Sequence, residues 1–233
     1  MISQKNGCII PTVVKNLTGL PVGLDLKGQF IMSNKKHSIK DDFTMLAILT
    51  IPIGVAVNFV GGQLASTLKL PMYLDTIGTI FSAMLCGPWV GACTGLMTNI
   101  VNGFANPVNF AFIPVNLAVG LVTGFLSRKN MFRTPLKYVI SVILITAVSV
   151  IIAAPIVVKV YGGVTGDGAS IFTATMMAAG ANIWASFFGT AGVFNVLDRI
   201  IATAISFAVI KVIPARTLVK FGCGENFIKK SAK

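Results

Sequence analysis

Residues 136–158 read LKYVISVILITAVSVIIAAPIVV, a run that as an α-helix would be about 35 Å long. About 30 Å of hydrocarbon separates the two faces of a bilayer. Comparable apolar runs recur along the chain, and the polar residues gather at its two ends and in one short loop. Only 11% of the residues are charged, where a soluble domain carries about a quarter. The mean hydropathy of +0.83 points the same way. These features exclude a soluble core and place the chain in the membrane class.

Six spans are expected, at about 43–66, 74–87, 89–104, 109–127, 136–158 and 194–213. The second is short for a full crossing, so tilt or a break is expected there. Pro88 and Pro135 stand at helix starts, where a missing N–H costs least. Pro52, Pro114 and Pro155 fall inside spans and predict kinks. The stretch 171–190 is apolar enough to be a seventh span. Charge weighs against that. Sixteen of the 19 Lys and Arg fall in 1–42, 127–137 and 211–233, leaving Lys69, Lys159 and Arg199 elsewhere. A seventh crossing would place the basic C-terminus outside, against the positive-inside rule. The expected fold is therefore an all-α integral membrane protein. It is a six-transmembrane-helix bundle with an extra interfacial or re-entrant helix on the outer side, between spans five and six.

The domain reading has three parts: a cytoplasmic N-terminal segment over 1–42, the six-helix membrane domain over 43–214, and a basic cytoplasmic tail over 215–233. Met32 opens MSNKKHSIKDDF just before the first span, and the preceding Lys27-Gly28 suits a ribosome-binding sequence. A native start at Met32 is expected, with 1–31 an extension or weakly ordered tail. No signal-peptide pattern precedes it.

The net charge of +12 does not make a nucleic-acid patch, because the basic residues follow topology. Cys8, Cys86, Cys93 and Cys223 have no metal-ligand spacing and no disulfide framework. His37 lies in a polar stretch and reads as a solvated residue. There is no nucleotide-binding motif, no HExxH, no GxSxG, and no chain of ionisable residues for proton relay. No enzyme activity, metal or cofactor is expected. The halves show no internal repeat of the kind secondary transporters use.

Small residues recur every four positions at Gly87, Gly91, Gly95, Asn99 and Gly103, again at Asn116, Gly120 and Gly124, and at Thr50, Gly54, Asn58 and Gly62. Such rows let helices approach closely. The row Thr50–Gly54 could instead face a partner helix.

The polar residues within spans collect on one side. Asp75, Thr76 and Thr79 open the second span, Asn99 and Asn102 close the third, and Asn109 and Asn116 open the fourth. Asn195, Asp198 and Arg199 open the sixth, and Asn58 lies near the outer end of the first. Tyr73, Phe104, Phe110, Phe112, Trp184 and Phe194 accompany them. Polar groups inside a membrane are costly and commonly functional. A few of them among aromatic walls make a small-molecule site. Each also has a plainer reading: Asp198 and Arg199 as a helix anchor, Asp75 as an N-cap, and Tyr73 and Trp184 as members of an aromatic belt.

The stretches LDTIGTIFSAMLCGPWVGACTGLMTNIVNG (74–103) and FAFIPVNLAVGLVTGFLSRK (110–129) resemble spans two to four of the substrate-binding S components of energy-coupling factor (ECF) transporters. The resemblance covers about 43–214. It implies a bacterial cell-membrane protein that captures a vitamin-like or nucleobase-like molecule outside. The implied partners are a transmembrane T subunit and two cytosolic ATPases. The convergence of polar and aromatic groups puts the expected substrate contacts at Tyr73, Asp75, Thr76, Thr79, Asn99, Asn102, Asn109, Asn116, Trp184, Asn195, Asp198 and Arg199. T-subunit docking is implied at Ala47, Thr50 and Gly54, with Thr50-xxx-Gly54 in place of the family's AxxxA-like pattern. The alternative is a stand-alone facilitator or channel, which would need polar residues along a whole pathway.

Overall fold

The computed structural model describes residues 42–228, together with the segments Val14–Lys15, Pro21–Leu24 and Phe30–Ile31. Two units are present, Met1–Ser38 and Ile39–Lys233. In the first, β1 (Val14–Lys15), β2 (Pro21–Leu24) and β3 (Phe30–Ile31) pair antiparallel in the order β1-β2-β3. The expected start at Met32, and with it Cys8 and His37, falls on residues outside those described.

In the second unit every described regular element is helical. α1 is Met45–Thr67, α2 Ile77–Cys86, α3 Pro88–Ala105, α4 Val108–Ala111 and α5 Ile113–Arg128. α6 is Pro135–Pro155, α7 Gly168–Ala178, α8 Ile183–Phe187, α9 Val193–Val212 and α10 Ala215–Leu218. Three helical stretches are long and apolar enough to cross a membrane: Met45–Thr67, Pro135–Val160 and Ile183–Val212. The chain is a helical integral membrane protein.

Several expected boundaries differ, for local reasons. The second span is a helix of only 10 residues, so Asp75 and Thr76 sit in the loop before it. The fourth is broken at Phe112, and Pro114 stands in the first turn of α5, where it produces no kink. Pro155, which cannot donate a backbone hydrogen bond, ends the regular part of α6, and the helix continues as a wider turn over Ile156–Val160. The single helix expected over 171–190 is two. α7 ends before Gly180, whose φ of 88° suits glycine. A new helix starts after Asn182, whose Oδ1 accepts from the Trp184 N–H at 2.9 Å. That helix runs through a wide turn at Phe188–Gly192 into α9.

The glycine rows decide how the helices meet. A Cβ on Gly120 would strike the Gly91 carbonyl, and one on Gly95 would lie 2.6 Å from the Asn116 carbonyl oxygen. α3 and α5 therefore pack backbone to backbone. Gly120→Leu is expected to destabilise the bundle by about 3 kcal/mol, since only backbone movement can make room. A thermal melt in detergent measures it.

α1 buries Ala47, Thr50, Gly54, Asn58 and Ala65, while Met45, Ile48, Leu49, Ile53, Val60 and Leu64 are exposed. Gly54 packs against Ser82, Thr94 and Gly78, and the Thr50 hydroxyl lies 3.4 Å from Cys86 Sγ. This corrects the docking expectation. Ala47, Thr50 and Gly54 are buried, Thr50 against α2 and Gly54 against α2 and α3 of the same chain. The opposite face is the apolar one.

One end of the bundle is closed by the chain's own tail. The Cys223 N–H donates to the Leu85 carbonyl at 2.9 Å, and Asn226 Nδ2 to the Ser127 carbonyl at 2.8 Å. Burial pushes the Cys223 thiol up to about 11, so it stays protonated and packs as a small apolar group. Arg128 and Asp42 form an ion pair of 2.6 Å beside them. Ile80, Met84, Leu85, Val90, Val119, Ile145 and Ile210 fill the core next to this basic end.

Candidate functional site

The polar residues converge at the other end. The geometry starts from Asp198 on α9, fully buried. Its Oδ1 accepts from the backbone N–H groups of Tyr73 (3.1 Å) and Leu74 (2.8 Å). Leu74 has φ 51°, an unfavourable conformation for a side-chain-bearing residue. The carboxylate holds the 69–76 loop in that shape. Next to it, Arg199 points about 100° away around the helix. It donates through Nη1 to the Thr76 hydroxyl and through Nε to Ser149 Oγ at 3.3 Å, and pairs with Asp198 at 3.5 Å. Ser149 in turn donates to Asn195 Oδ1 at 3.0 Å.

The asparagines of α3 and α5 form a second network. Asn116 Nδ2 donates to Asn99 Oδ1 at 2.8 Å. Asn99 Nδ2 donates to the Asn109 carbonyl at 3.2 Å, and Asn109 Nδ2 to the Asn102 carbonyl at 3.2 Å. The loop before α7 closes the third side. Asp167 caps α7 by accepting from the Ser170 N–H (2.8 Å) and the Thr165 hydroxyl (2.6 Å). Gly168 lies against the carbonyls of Lys69 and Leu70.

These parts enclose a cavity of about 320 Å³. Of the residues named from the sequence, Tyr73, Asp75, Thr76, Asn99, Asn102, Asn109, Asn116, Asn195 and Arg199 line it. Phe112, Val115, Ala153, Val157 and Phe187 supply apolar wall. Gln63, Ser66, Asn106, Thr165 and Asp167 line it too and were not expected. Gln63 and Ser66 were within reach, because Ser66 extends the row Asn58–Gly62 by one more step of four. Asp167 was not, since nothing local tells where its loop folds.

Three expected contacts lie elsewhere. Thr79 is fully buried and bonds Asn58 Nδ2 at 2.9 Å, away from the cavity. Asp198 faces the 69–76 loop and not the cavity wall. Trp184 is 39% exposed and stacks on Phe188 with ring centroids 6.4 Å apart. Its side of the helix turns outward, as an aromatic-belt residue does.

Three side-chain acceptors of cavity-lining residues have no partner: Asp75 Oδ1, Asn102 Oδ1 and Asn116 Oδ1 are buried and unbonded. Orphaned buried acceptors are rare and costly. Tyr73 is a donor here. Burial first, and then the negative charges of Asp167, Asp198 and Asp75, raise its hydroxyl well above the usual range. Arg199 adds a fixed guanidinium. The wall thus offers both hydrogen-bond senses together with aromatic surface, the make-up of a small-molecule pocket.

No group of three or more His, Cys, Asp or Glu placed to hold a metal ion occurs among the described residues. A family model described as ECF transporter, substrate-specific component, matches residues 46–210. No curated protein and no solved structure matches the chain. The matched family consists of transport components and is not a family of enzymes. The match spans most of the chain and takes in α1 through most of α9, the helices that build the cavity, so the chain belongs to the substrate-specific membrane components of ECF transporters.

Proposed function

We propose that this chain crosses the bacterial cell membrane six times with both termini in the cytoplasm. It captures a small heterocyclic vitamin-like or nucleobase-like molecule on the outer face and delivers it as the S component of an ATP-driven importer. The α7–α8 region, in this reading, lies on the outer side between spans five and six. The observation that carries the proposal is the cavity itself. It is lined by amides, carboxylates and Arg199, and beyond Asn116 and Thr76 the chain is packed by Val119, Ile80, Met84 and Ile145. A pocket with a sealed floor suits capture, and a pore would need polar lining through that floor. The chain carries no nucleotide-binding motif, so energy comes from a transmembrane T subunit and two cytosolic ATPases. With Ala47, Thr50 and Gly54 buried, the surface that meets the T subunit lies on other residues.

Uptake into proteoliposomes, with and without T and ATPase subunits, tests this reading. Uptake is expected only with both present and with ATP. Transport by the chain alone would establish a facilitator in its place. Asp75→Ala and Asn99→Ala are each expected to weaken ligand binding about tenfold or more, the equivalent of about 1.4 kcal/mol. Occupancy in native mass spectra reads that loss. Unchanged occupancy in both would take these residues out of the site.

A further inference from the structure

We infer that an anionic phospholipid binds where α6 meets α9 at the basic end of the bundle. Arg133, Lys137 and Lys211 hold its headgroup, and its acyl chains lie along the two helices. The inference concerns the end of the bundle away from the cavity. Its failure would leave the capture reading untouched.

Charge is the first observation. Among the described residues, six exposed cations stand at this end, Lys129, Arg133, Lys137, Lys211, Arg216 and Lys220, and the one exposed acid is Glu225. The other acid described at this end, Asp42, is buried and paired with Arg128. The other ion pair among the described residues, Arg199–Asp198, is at the cavity end. A cationic excess of this kind attracts anionic lipid headgroups.

The second observation gives the excess a fixed point. The ring of Phe132 meets that of Tyr138 at 6.3 Å between centroids, and Tyr138 meets Phe207 at 5.5 Å. This row runs from the loop before α6, through α6, to α9. Lys211 Nζ lies 4.5 Å over the centroid of the Phe207 ring. Arg133 follows Phe132 in the chain, and Lys137 precedes Tyr138. The row thus gathers three cations at one helix contact. An ammonium over a ring is held by the ring's negative face, and the side turned away from the ring keeps its N–H donors for an anion. Arginine adds the planar fork that suits a phosphate.

The third observation says what kind of anion fits. Both helices carry exposed apolar faces next to these cations: Val139, Ile140 and Ile143 on α6, and Ile205 and Val209 on α9. Their spacing of three and four keeps each set on one face of its helix. A soluble anion or an acidic protein would use the cations and leave this surface bare. A phosphodiester headgroup with acyl chains uses both. Tyr138, half-buried between the charged and the apolar parts, has the amphipathic side chain that suits the boundary between them.

The test is native mass spectrometry of the full chain in detergent, with equal amounts of dioleoylphosphatidylglycerol and dioleoylphosphatidylcholine added. The two lipids share their acyl chains and differ in headgroup charge. Adducts of the anionic lipid are expected to exceed those of the zwitterionic one about tenfold. Lys137→Gln with Lys211→Gln is expected to erase that preference. Lys129→Gln with Lys159→Gln removes the same amount of charge and is expected to keep it. Lys159 lies at the far end of the helical stretch Pro135–Val160, about 33 Å from Lys137 at helical rise. All four side chains are exposed, so the melting temperatures of both variants are expected to match wild type. No preference in the wild type overturns the inference. Equal loss in the two variants also overturns it, and shows the charges acting as a diffuse field. A preference that survives in the Lys137 and Lys211 variant overturns it as well. Loss of T or ATPase subunit binding in that same lipid-retaining variant would assign the surface to a protein partner.

Discussion

Asp198→Ala is expected to lose ligand binding by roughly a hundredfold, and Asp198→Asn to keep most of it. The difference follows from what the side chain does. Its Oδ1 accepts two backbone N–H groups from the 69–76 loop, and hydrogen bonds to a charged group contribute about 1.5–3 kcal/mol each. An asparagine still offers Oδ1 to both. Alanine offers nothing to the loop; both variants remove the negative charge beside Arg199, so the difference between them reads the two loop bonds. The strained Leu74 then has no reason to hold its positive φ, and Tyr73, Asp75 and Thr76 leave the cavity wall together. Calorimetric affinities of both variants for the ligand decide the matter. Equal losses would mean that the negative charge itself, and not the loop geometry, is what counts.

Asn58→Leu is expected to cost stability without touching the cavity. Asn58 lies on α1, fully buried, and ties three helices at once. Nδ2 donates to Thr79 on α2 and to Thr98 on α3, both at 2.9 Å, and Oδ1 accepts from the Gly78 N–H at 2.6 Å. That last bond caps α2, whose own N-cap residue Thr76 makes no capping bond because its hydroxyl is taken by Arg199. Leucine would leave a buried N–H unsatisfied and break two interhelical bonds, a combined cost of about 3 kcal/mol. For a chain of this size that corresponds to a fall in melting temperature of roughly 6–12 °C. Thermal melts in detergent read it directly. A melt unchanged within 2 °C would show that the freed groups find other partners.

The two predictions mark a division of labour that residue type alone does not reveal. Asn58, Asn99 and Asn116 all sit in apolar helices, and as amides they look alike. Asn58 is enclosed by α2 and α3 and fully satisfied, so it is structural. Asn102 and Asn116 line the cavity, and each keeps a buried side-chain oxygen without a partner.

Much of the architecture was legible in the sequence, because the constraints that shape it are local or one-dimensional. Length and hydropathy mark the three long apolar helices, since a backbone in hydrocarbon must bond to itself. The four-residue rows of glycine announce close helix pairs, and α3 and α5 are such a pair. The clustering of amides and carboxylates at one end follows from depth along each helix, which residue number reports almost directly. What depends on azimuth and on loop paths was decided only by the tertiary structure. The row Ala47, Thr50 and Gly54 suits any partner helix, and the packing of Thr50 and Gly54 against α2 is visible only in the tertiary structure. Asp198 and Arg199 are neighbours in sequence, but the turn of the helix sends one to the loop and the other to the cavity. Asp167 reached the site through a loop whose course is set by the contact of Gly168 with the carbonyls of Lys69 and Leu70, nearly 100 residues earlier in the chain. Contacts of that range leave no periodicity behind, and so the sequence determined that there is a pocket and at which end, while the packing decided which atoms face into it.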